Sequence, residues 1–454
     1  MHDALLKAVR MMQKNGAEFC DARSQIIKNI DIRSVNGDIR HLSDKTVGGV
    51  CLRAWMNGRW GYYTTTFLDD IHEAAATAVK NASGYPRERI ELNVKEIKSK
   101  RTQNVKIHPD NADMKEKVNA VLDVDSSQVR DKILNRIGAY GEEVSKNILI
   151  NSVGSEIEWE EVRTRFRAMS VASDGKKMER YYGGPDGTCG FELVKSIDIE
   201  ALGRSVADEA ILTLKAKRPP SGSMTVITDP MVSGLLAHEV MGHASEADEV
   251  VKKRSFLSDA VGKKVASDVI SMYDNGTVDK AHGTILYDDE GTPASNTCII
   301  ENGVYKGYMH TLESASLMNS EPTGNGRAEN FGKRIWARMT NTFFGPGDRT
   351  LDDIIADTKH GILCDKMVNG MEDPVGGGFE AKVLRGFLIK NGKITNMLRS
   401  FTLTGRALEI LRTTDAATKN VEFDGGMCGK GIEDWVNVSS GGPYCRSDII
   451  VGGG

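Results

Sequence analysis

The sequence predicts an α+β fold, in which an N-terminal region of strand hairpins and helices precedes a large, mainly antiparallel β domain that carries a candidate metal-site helix. Asn-Gly pairs separate runs of alternating apolar and polar residues, and this arrangement is the strongest short signal for a β-hairpin. In the N-terminal part, segments with helical periodicity lie beside the first two of these hairpins, whereas repeated hairpins dominate the C-terminal part. Four Asn-Gly pairs stand between such runs, at 36–37, 57–58, 302–303 and 391–392.

The composition is that of a soluble globular protein. The chain has 454 residues, of which 40% are hydrophobic and 27% are charged, and this length supports two or three domains. The net charge of −4 gives no sign of nucleic-acid binding, and the longest apolar runs are too short to span a membrane. Seven scattered cysteines argue against a disulfide framework and favour a reducing, cytoplasmic compartment.

The clearest boundary in the chain is the segment RPPSG at 218–222. Two prolines and a glycine cannot continue a helix, so the segment separates two structural regions. We therefore expect an N-terminal α+β region over 1–217, subdivided near a polar, lysine-rich connector at 92–109. A C-terminal, mainly β domain is expected over 223–454.

Four segments of the N-terminal region have helical patterns. An amphipathic helix is predicted over 3–14, and a second over about 68–82, after the first two hairpins. Residues 111–145 predict two further helices, and a helix over about 197–217 closes the region.

A strand pattern occupies residues 147–184, and Asp174-Gly175 is its predicted hairpin turn. Charged residues alternate there with Ile157, Val162 and Phe166. This alternation predicts a sheet with one solvated face rather than a binding strip.

The strongest chemical signal lies in DPMVSGLLAHEVMGHASEAD, which begins at Asp229. Asp229 and Pro230 are typical of an N-cap and a first helical position, and a short β-branched strand precedes them. Apolar residues then recur at helical spacing. His238, Glu239 and His243 are therefore predicted to lie on a helix, about two to three turns from its start.

The two histidines are five residues apart, whereas the familiar zinc-protease helix has a four-residue step. Five residues of a regular helix advance about 140° from the starting direction, against about 40° for four. Both imidazoles could reach one metal ion only if the helix widens locally to i→i+5 geometry or breaks in its last turn. Gly242, directly before His243, makes such a distortion inexpensive. The residues alone leave a second interpretation, a surface glutamate with two unrelated histidines.

A third ligand is expected from outside this helix. Cys428 is flanked by glycines, which let the backbone bring a ligand close to another element, and Cys445 is the competing thiol. A Cys/His/His set that leaves one position open is typical of a catalytic zinc site. The remaining ligand candidates are His282, His310, Glu246 and Asp248, the last two more typical of residues that support the ligands.

The rest of the C-terminal domain predicts a hairpin-rich architecture. Residues 249–266 are basic and polar, which indicates a surface loop or flap. Asp288, Asp289 and Glu290 lack the spacing of a calcium loop and are interpreted as a turn. Repeated hairpins suggest a β domain that can close into a barrel, and a short helix is predicted over 405–412.

Four motifs occur in order along almost the whole chain. They are the N-terminal block that begins DARSQ, HEVMGHASEAD at 238–248, FDGGMCGKG at 423–431 and the closing VGGG. In these motifs the sequence resembles the TldD/PmbA family of zinc-dependent peptidases. The resemblance implies that His238, His243 and Cys428 bind Zn²⁺ and that Glu239 is the catalytic base. Because the metal motif is present, the chain resembles the TldD-type subunit.

The resemblance also implies a partner and a reaction. TldD-type chains pair with a metal-free PmbA/TldE-type paralogue, a homodimer being the alternative, and the pair encloses the site in a chamber. The expected activity is a zinc-dependent peptidase that cleaves unfolded peptides or small protein fragments. Zinc would bind a water and lower its pKa, and Glu239 would take the proton as general base. Two other functions remain open: a non-catalytic scaffold or binding subunit of a peptide-processing complex, and a small-molecule zinc amidase.

Overall fold

The computed structural model describes residues 1–67, 70–84, 90–373, 375–431 and 434–452. The expected α+β class is confirmed, because 23% of the structure is helix, 44% is strand and the sheets are mainly antiparallel. Leu68, the predicted start of the second helix, lies outside the described residues. Within them, no helix is long and apolar enough to cross a bilayer.

The N-terminal region is built around one long, twisted sheet with the strand order β3-β2-β1-β5-β6-β4, to which β7 and β8 add by pairing with β6. Its helices pack on the sheet through buried aliphatic side chains. In chain order the elements are α1 (His2–Lys14), β1 (Phe19–Val35), β2 (Asp38–Met56), β3 (Arg59–Thr65), α2 (Ile71–Ala82), β4 (Lys98–Thr102), α3 (Met114–Ser127), β5 (Ile133–Asn151), β6 (Glu156–Ser173), β7 (Met178–Gly183), β8 (Asp186–Gly187), α4 (Glu192–Lys195) and α5 (Ile199–Thr213).

The prediction of a second helix within 111–145 is wrong, because α3 is followed directly by the strand β5. β5 lies between β1 and β6 and pairs with both. Tertiary pairing on two sides overrides the local helical pattern. At Gly138 of β5, an added Cβ would lie 2.7 Å from a side-chain carbon of Val124, so α3 packs directly on this strand.

The connector expected at 92–109 contains a strand. β4 pairs in parallel with β6, and its Lys100 forms an ion pair of 2.8 Å with Glu158. The composition of this segment is that of a solvated linker. The segment is nevertheless extended, because it pairs with the neighbouring strand β6.

The prediction that one face of β6 is solvated is also wrong near the centre of the strand. Glu161 and Arg163 are buried and lie 3.0 Å apart. Arg163 also donates hydrogen bonds to the carbonyl oxygens of His282 at 3.0 Å and Thr284 at 2.8 Å. The C-terminal domain therefore covers this face of the sheet, and its charged side chains are paired rather than hydrated.

The C-terminal domain contains the remaining elements. Between α6 and α7 lie a π-helical segment, Leu236–Gly242, and a 3₁₀ turn, His243–Ser245. In chain order the other elements are β9 (Gly222–Thr228), α6 (Pro230–Leu235), α7 (Ala247–Val251), β10 (Met272–Asn275), β11 (Asn296–Glu301), β12 (Val304–Tyr305), α8 (Leu312–Leu317), β13 (Gly326–Arg327), β14 (Trp336–Ala337), β15 (Asn341–Phe344), α9 (Leu351–Ala356), β16 (His360–Asp373), β17 (Gly378–Lys390), β18 (Lys393–Arg406), α10 (Ala407–Thr413), β19 (Ala416–Ala417), β20 (Glu422–Gly429), β21 (Trp435–Gly442) and β22 (Cys445–Gly452).

Two larger sheets form the frame of this domain. One has the order β12-β11-β10-β15-β21-β20. In the other, β18-β17-β16-β9-β22 is a closed ring because β18 also pairs with β22, which confirms the barrel-like expectation. α6 and the π-helical segment contact strands of both sheets, so the site helix is held between them.

The Asn-Gly turns are confirmed at all four positions. Each asparagine and each glycine has a positive φ, from 46° at Asn302 to 91° at Gly37. These angles belong to the two-residue hairpin turns that asparagine and glycine favour. The turn at Asp174-Gly175 is also present, between β6 and β7.

Candidate metal centre

The helix that carries the two histidines is widened at the place where their spacing requires it. α6 begins at Pro230, and the Asp229 carboxylate accepts a hydrogen bond from the Val232 amide at 3.1 Å. The backbone N–H of His243 donates to the carbonyl oxygen of His238, an i→i+5 hydrogen bond. This π-helical geometry places the two imidazoles together, with ring centroids 5.2 Å apart.

The third donor arrives from the hairpin formed by β20 and β21. Cys428 lies near the end of β20, opposite Val436 of β21. Its Sγ lies 3.5 Å from His243 Nε2, and one ligand atom from each of His238, His243 and Cys428 lies within 4.8 Å of the other two. The structure therefore brings together all three residues for which metal binding is expected.

The electrostatics of the cluster are those of a thiolate facing two imidazoles. Burial alone would lower the pKa of His238 and of His243. The Cys428 thiolate, together with the neighbouring carboxylates Glu239 and Glu246, outweighs burial and raises both pKa values, that of His243 well above its ordinary value. Burial alone would raise the pKa of Cys428, but the two imidazoles hold it well below its ordinary value. Because metal ligands must be deprotonated, a bound dication would replace the protons of the two rings.

The donor set fits zinc. Thiolate and imidazole are the ligands that zinc prefers, and three protein donors leave a fourth position open. His238 Nδ1 is buried and has no hydrogen-bond partner among the described residues, although buried polar atoms are normally paired.

Two carboxylates contact the His243 ring from different sides. Glu239 Oε2 lies 3.8 Å from His243 Nε2, the ring atom that faces the thiolate, and its side chain is 18% exposed. Glu246 Oε2 lies 3.4 Å from Nδ1 of the same ring and is buried. The partly exposed carboxylate thus lies beside the donor cluster, whereas the buried one contacts the opposite nitrogen of the ring, the arrangement expected of a residue that supports a ligand.

Three other ligand candidates, Cys445, His282 and His310, lie elsewhere. Cys445 lies on β22, opposite Thr228 of β9, and burial raises its pKa to about 12. His282 Nε2 lies 3.2 Å from Asn437 Oδ1. His310 Nδ1 lies 3.3 Å from a serine hydroxyl, and burial lowers its pKa to about 4. None of the three joins the cluster formed by the two helix histidines and Cys428.

Two residues beside the cluster were not anticipated. Lys430 Nζ lies 2.8 Å from carboxylate oxygens of Glu246 and of Asp248, and buried Arg338 donates to the carbonyl oxygen of Cys428 at 2.6 Å. The sequence could have predicted that Lys430 lies on the same face as Cys428, because Lys430 follows Cys428 by two residues and residues two apart on an extended chain share a face. Nothing near Arg338 in the sequence signals its contact.

A separate polar cleft of about 290 Å³ lies between the N-terminal sheet and the β20–β21 hairpin. Met427 and Trp435 line it, but Cys428 and the two helix histidines do not. Successive residues of a strand point to opposite faces, so the cleft and the donor cluster lie on opposite sides of the hairpin.

A helix that presents two histidines and a glutamate, with a cysteine from a neighbouring hairpin, has the donor set of a mononuclear metal-dependent hydrolase. Comparison with known proteins agrees with that class. The PmbA/TldA metallopeptidase models match in three parts: domain 1 over residues 20–82, the central domain over 107–214 and the C-terminal domain over 221–453. The chain therefore belongs to the PmbA/TldA metallopeptidase family.

Individual relatives extend over nearly the whole chain. A protein of Methanocaldococcus jannaschii named as a metalloprotease is 34% identical over 440 residues, which is 96% of this chain and 97% of that protein. A zinc metalloprotease TldD homolog of Saccharolobus solfataricus is 26% identical and covers 99% of this chain and 100% of its own length. The crystal structure of TldE from Thermococcus kodakarensis has the same fold, with a TM-score of 0.78, 19% identity and 99% coverage of both chains.

Proposed function

We propose that this protein is a zinc-dependent peptidase in which His238, His243 and Cys428 hold the metal and Glu239 is the general base. The observation that carries the proposal is the convergence of these three donors within 4.8 Å of one another. The names of the relatives support a metallopeptidase, and the zinc metalloprotease named in Saccharolobus solfataricus supports the choice of metal.

The residues divide the chemistry between them. A bound zinc ion would supply a Lewis acid that polarises the scissile carbonyl and acidifies water. The Glu239 carboxylate would accept the proton of the attacking water and pass it to the nitrogen of the leaving amine. Its partial exposure and its distance of 3.8 Å from His243 Nε2 suit a base that works beside the metal and meets substrate.

Metal content tests the proposal directly. Elemental analysis of the purified chain should find one zinc in the wild type and a loss of zinc in His243→Ala and in Cys428→Ser. Cys445→Ser is the matched control, since this thiol is also buried but lies on β22, outside the cluster. Zinc retained by Cys428→Ser would contradict the ligand set. A wild type that stays free of zinc after zinc is supplied would contradict the peptidase mechanism and favour a scaffold.

The proposal extends to substrate and partner. Unfolded peptides would enter a chamber formed with a metal-free PmbA/TldE-type paralogue, and the shared fold of TldE supports a partner of similar shape. Peptides would bind as an added strand through main-chain hydrogen bonds, which read little sequence. With the partner present, an unfolded protein should be cleaved and its folded form left intact. Equal cleavage of both forms would contradict the chamber, and turnover of small amides by the isolated chain would favour an amidase.

A cytoplasmic location completes the proposal. The thiolate of Cys428 must remain reduced to serve as a ligand, and a reducing compartment preserves it. All seven cysteines are free thiols in the structure, as such a compartment requires.

A further inference from the structure

A largely buried cation joins the two elements that carry the donors. Lys430 lies two residues beyond Cys428, and its ammonium contacts three acceptors: Glu246 Oε2 at 2.8 Å, Asp248 Oδ1 at 2.8 Å and the carbonyl oxygen of Ala337 at 3.1 Å. An ammonium has three hydrogens to donate, so all of them are used.

The ion pair continues to the metal-facing ring. The Glu246 carboxylate that accepts from Lys430 also lies 3.4 Å from His243 Nδ1 through the same oxygen, Oε2. The opposite ring nitrogen, Nε2, faces the Cys428 sulfur. A continuous path of polar contacts therefore runs from the cysteine hairpin, through Lys430 and Glu246, to the histidine.

The same hairpin is held from a second side. Arg338 is fully buried and donates to the carbonyl oxygens of Cys428 at 2.6 Å and of Asp434 at 3.2 Å. These bonds fix the backbone at the thiolate. Arg338 Nε also lies 3.8 Å from Glu246 Oε1, so Arg338 is a second and longer link between the hairpin and Glu246. The shorter link is the 2.8 Å contact between Lys430 and Glu246.

We propose that Glu246 and Lys430 are positioning residues that clamp the cysteine hairpin to the histidine helix and thereby set the affinity for zinc. The inference rests on the proposed metal site. A carboxylate on the second ring nitrogen fixes the orientation of a ligating imidazole, and loss of such a partner typically weakens metal binding 10–100-fold. Lys430 holds that carboxylate in place and sets a positive charge between Glu246, which is buried, and Asp248, which is 14% exposed.

The test compares Lys430→Met with Lys430→Arg and with Lys252→Met. Lys252 is the matched control because it also pairs with Asp248, at 3.8 Å, but makes no contact with Glu246 among those the structure describes and is 35% exposed. The measurements are the zinc dissociation constant by chelator competition and the thiolate-to-metal absorption band of the cobalt-substituted protein. Lys430→Met should bind zinc about 10–100-fold more weakly with an altered cobalt band. Lys430→Arg should recover part of the loss, and Lys252→Met should bind as the wild type does.

Glu246→Gln covers the case in which Lys430→Met does not fold, as judged by circular dichroism. This near-isosteric change removes the charge and should weaken zinc binding by a similar factor. Folded Lys430→Met or Glu246→Gln with wild-type zinc affinity and cobalt spectrum would overturn the clamp while leaving the metal site intact. Equal losses in Lys252→Met and Lys430→Met would also overturn it. A wild type that binds no zinc would overturn the proposed function itself.

Discussion

The close packing of α6 on β21 can be tested by adding one methyl group at Gly234. An added Cβ there would lie 2.7 Å from the carbonyl carbon of Ser440 and 2.8 Å from Gly441 Cα, about 1 Å less than an ordinary carbon contact. Both are backbone atoms and cannot turn away. Replacing glycine in a helix by alanine normally stabilises by about 0.5–1 kcal/mol, whereas overpacking costs about 1–3 kcal/mol. The clash should prevail, and Gly234→Ala should lose about 2 kcal/mol of the free energy of unfolding.

Urea denaturation of the metal-free protein measures this loss as a lower midpoint. Gly307→Ala is the control, because an added Cβ at Gly307 meets no atom of the described residues within 4 Å. This substitution should change stability by no more than about 0.5 kcal/mol. Zinc affinity should also fall in Gly234→Ala, since β21 pairs with the strand that carries Cys428. A midpoint equal to or above that of the wild type would refute the reasoning, because it would mean that helix propensity outweighs the backbone contact.

Three further outcomes are expected. Glu239→Gln should keep its zinc but lose peptide cleavage by a factor of about 10²–10⁴; unchanged cleavage would exclude Glu239 as the base. In the metal-free protein the Cys428 thiolate, seen by its ultraviolet absorbance, should persist below pH 9.0 because two imidazoles depress its pKa. The thiolate's contribution to stability is present above pH 9.0 and is lost as pH falls through the depressed pKa. Cys428→Ser should abolish the absorbance signal. Burial raises the pKa of Asp229 from 3.8 to about 7. The contribution of the Asp229 carboxyl to stability is therefore present below pH 3.8 and is lost as pH rises through about 7. The free energy of unfolding of Asp229→Asn should vary less with pH between these values, and a pH dependence equal to that of the wild type would contradict the raised pKa.

Parts of the fold follow from local chemistry and were accessible from the sequence. The Asn-Gly pairs at 36–37, 57–58, 302–303 and 391–392 form hairpin turns because asparagine and glycine tolerate positive φ. Asp229 and Pro230 specify where the site helix begins. For His238 and His243, five residues apart, to bind one metal ion, the helix must widen or break in its last turn, and the observed i→i+5 hydrogen bond is the first of these two geometries.

Other parts depended on what each segment packs against. Residues 133–145 follow a pattern that fits a helix, yet β5 is a strand because β1 and β6 pair with it on both sides. Glu161 and Arg163 have the spacing of a solvated face, yet the C-terminal domain covers them. A local pattern carries no information on which distant surface will cover it.

The candidate site divides in the same way. The sequence by itself determined the histidine helix, the glutamate within it, the glycine-flanked Cys428 and, through the motifs they form, the family resemblance. Only the tertiary structure placed Cys428, and not Cys445, 3.5 Å from a histidine 185 positions away in the chain, and only it revealed the contacts of Lys430. Helix and turn geometry are determined by neighbouring residues, whereas the convergence of ligands is decided by how sheets and helices distant in sequence pack together.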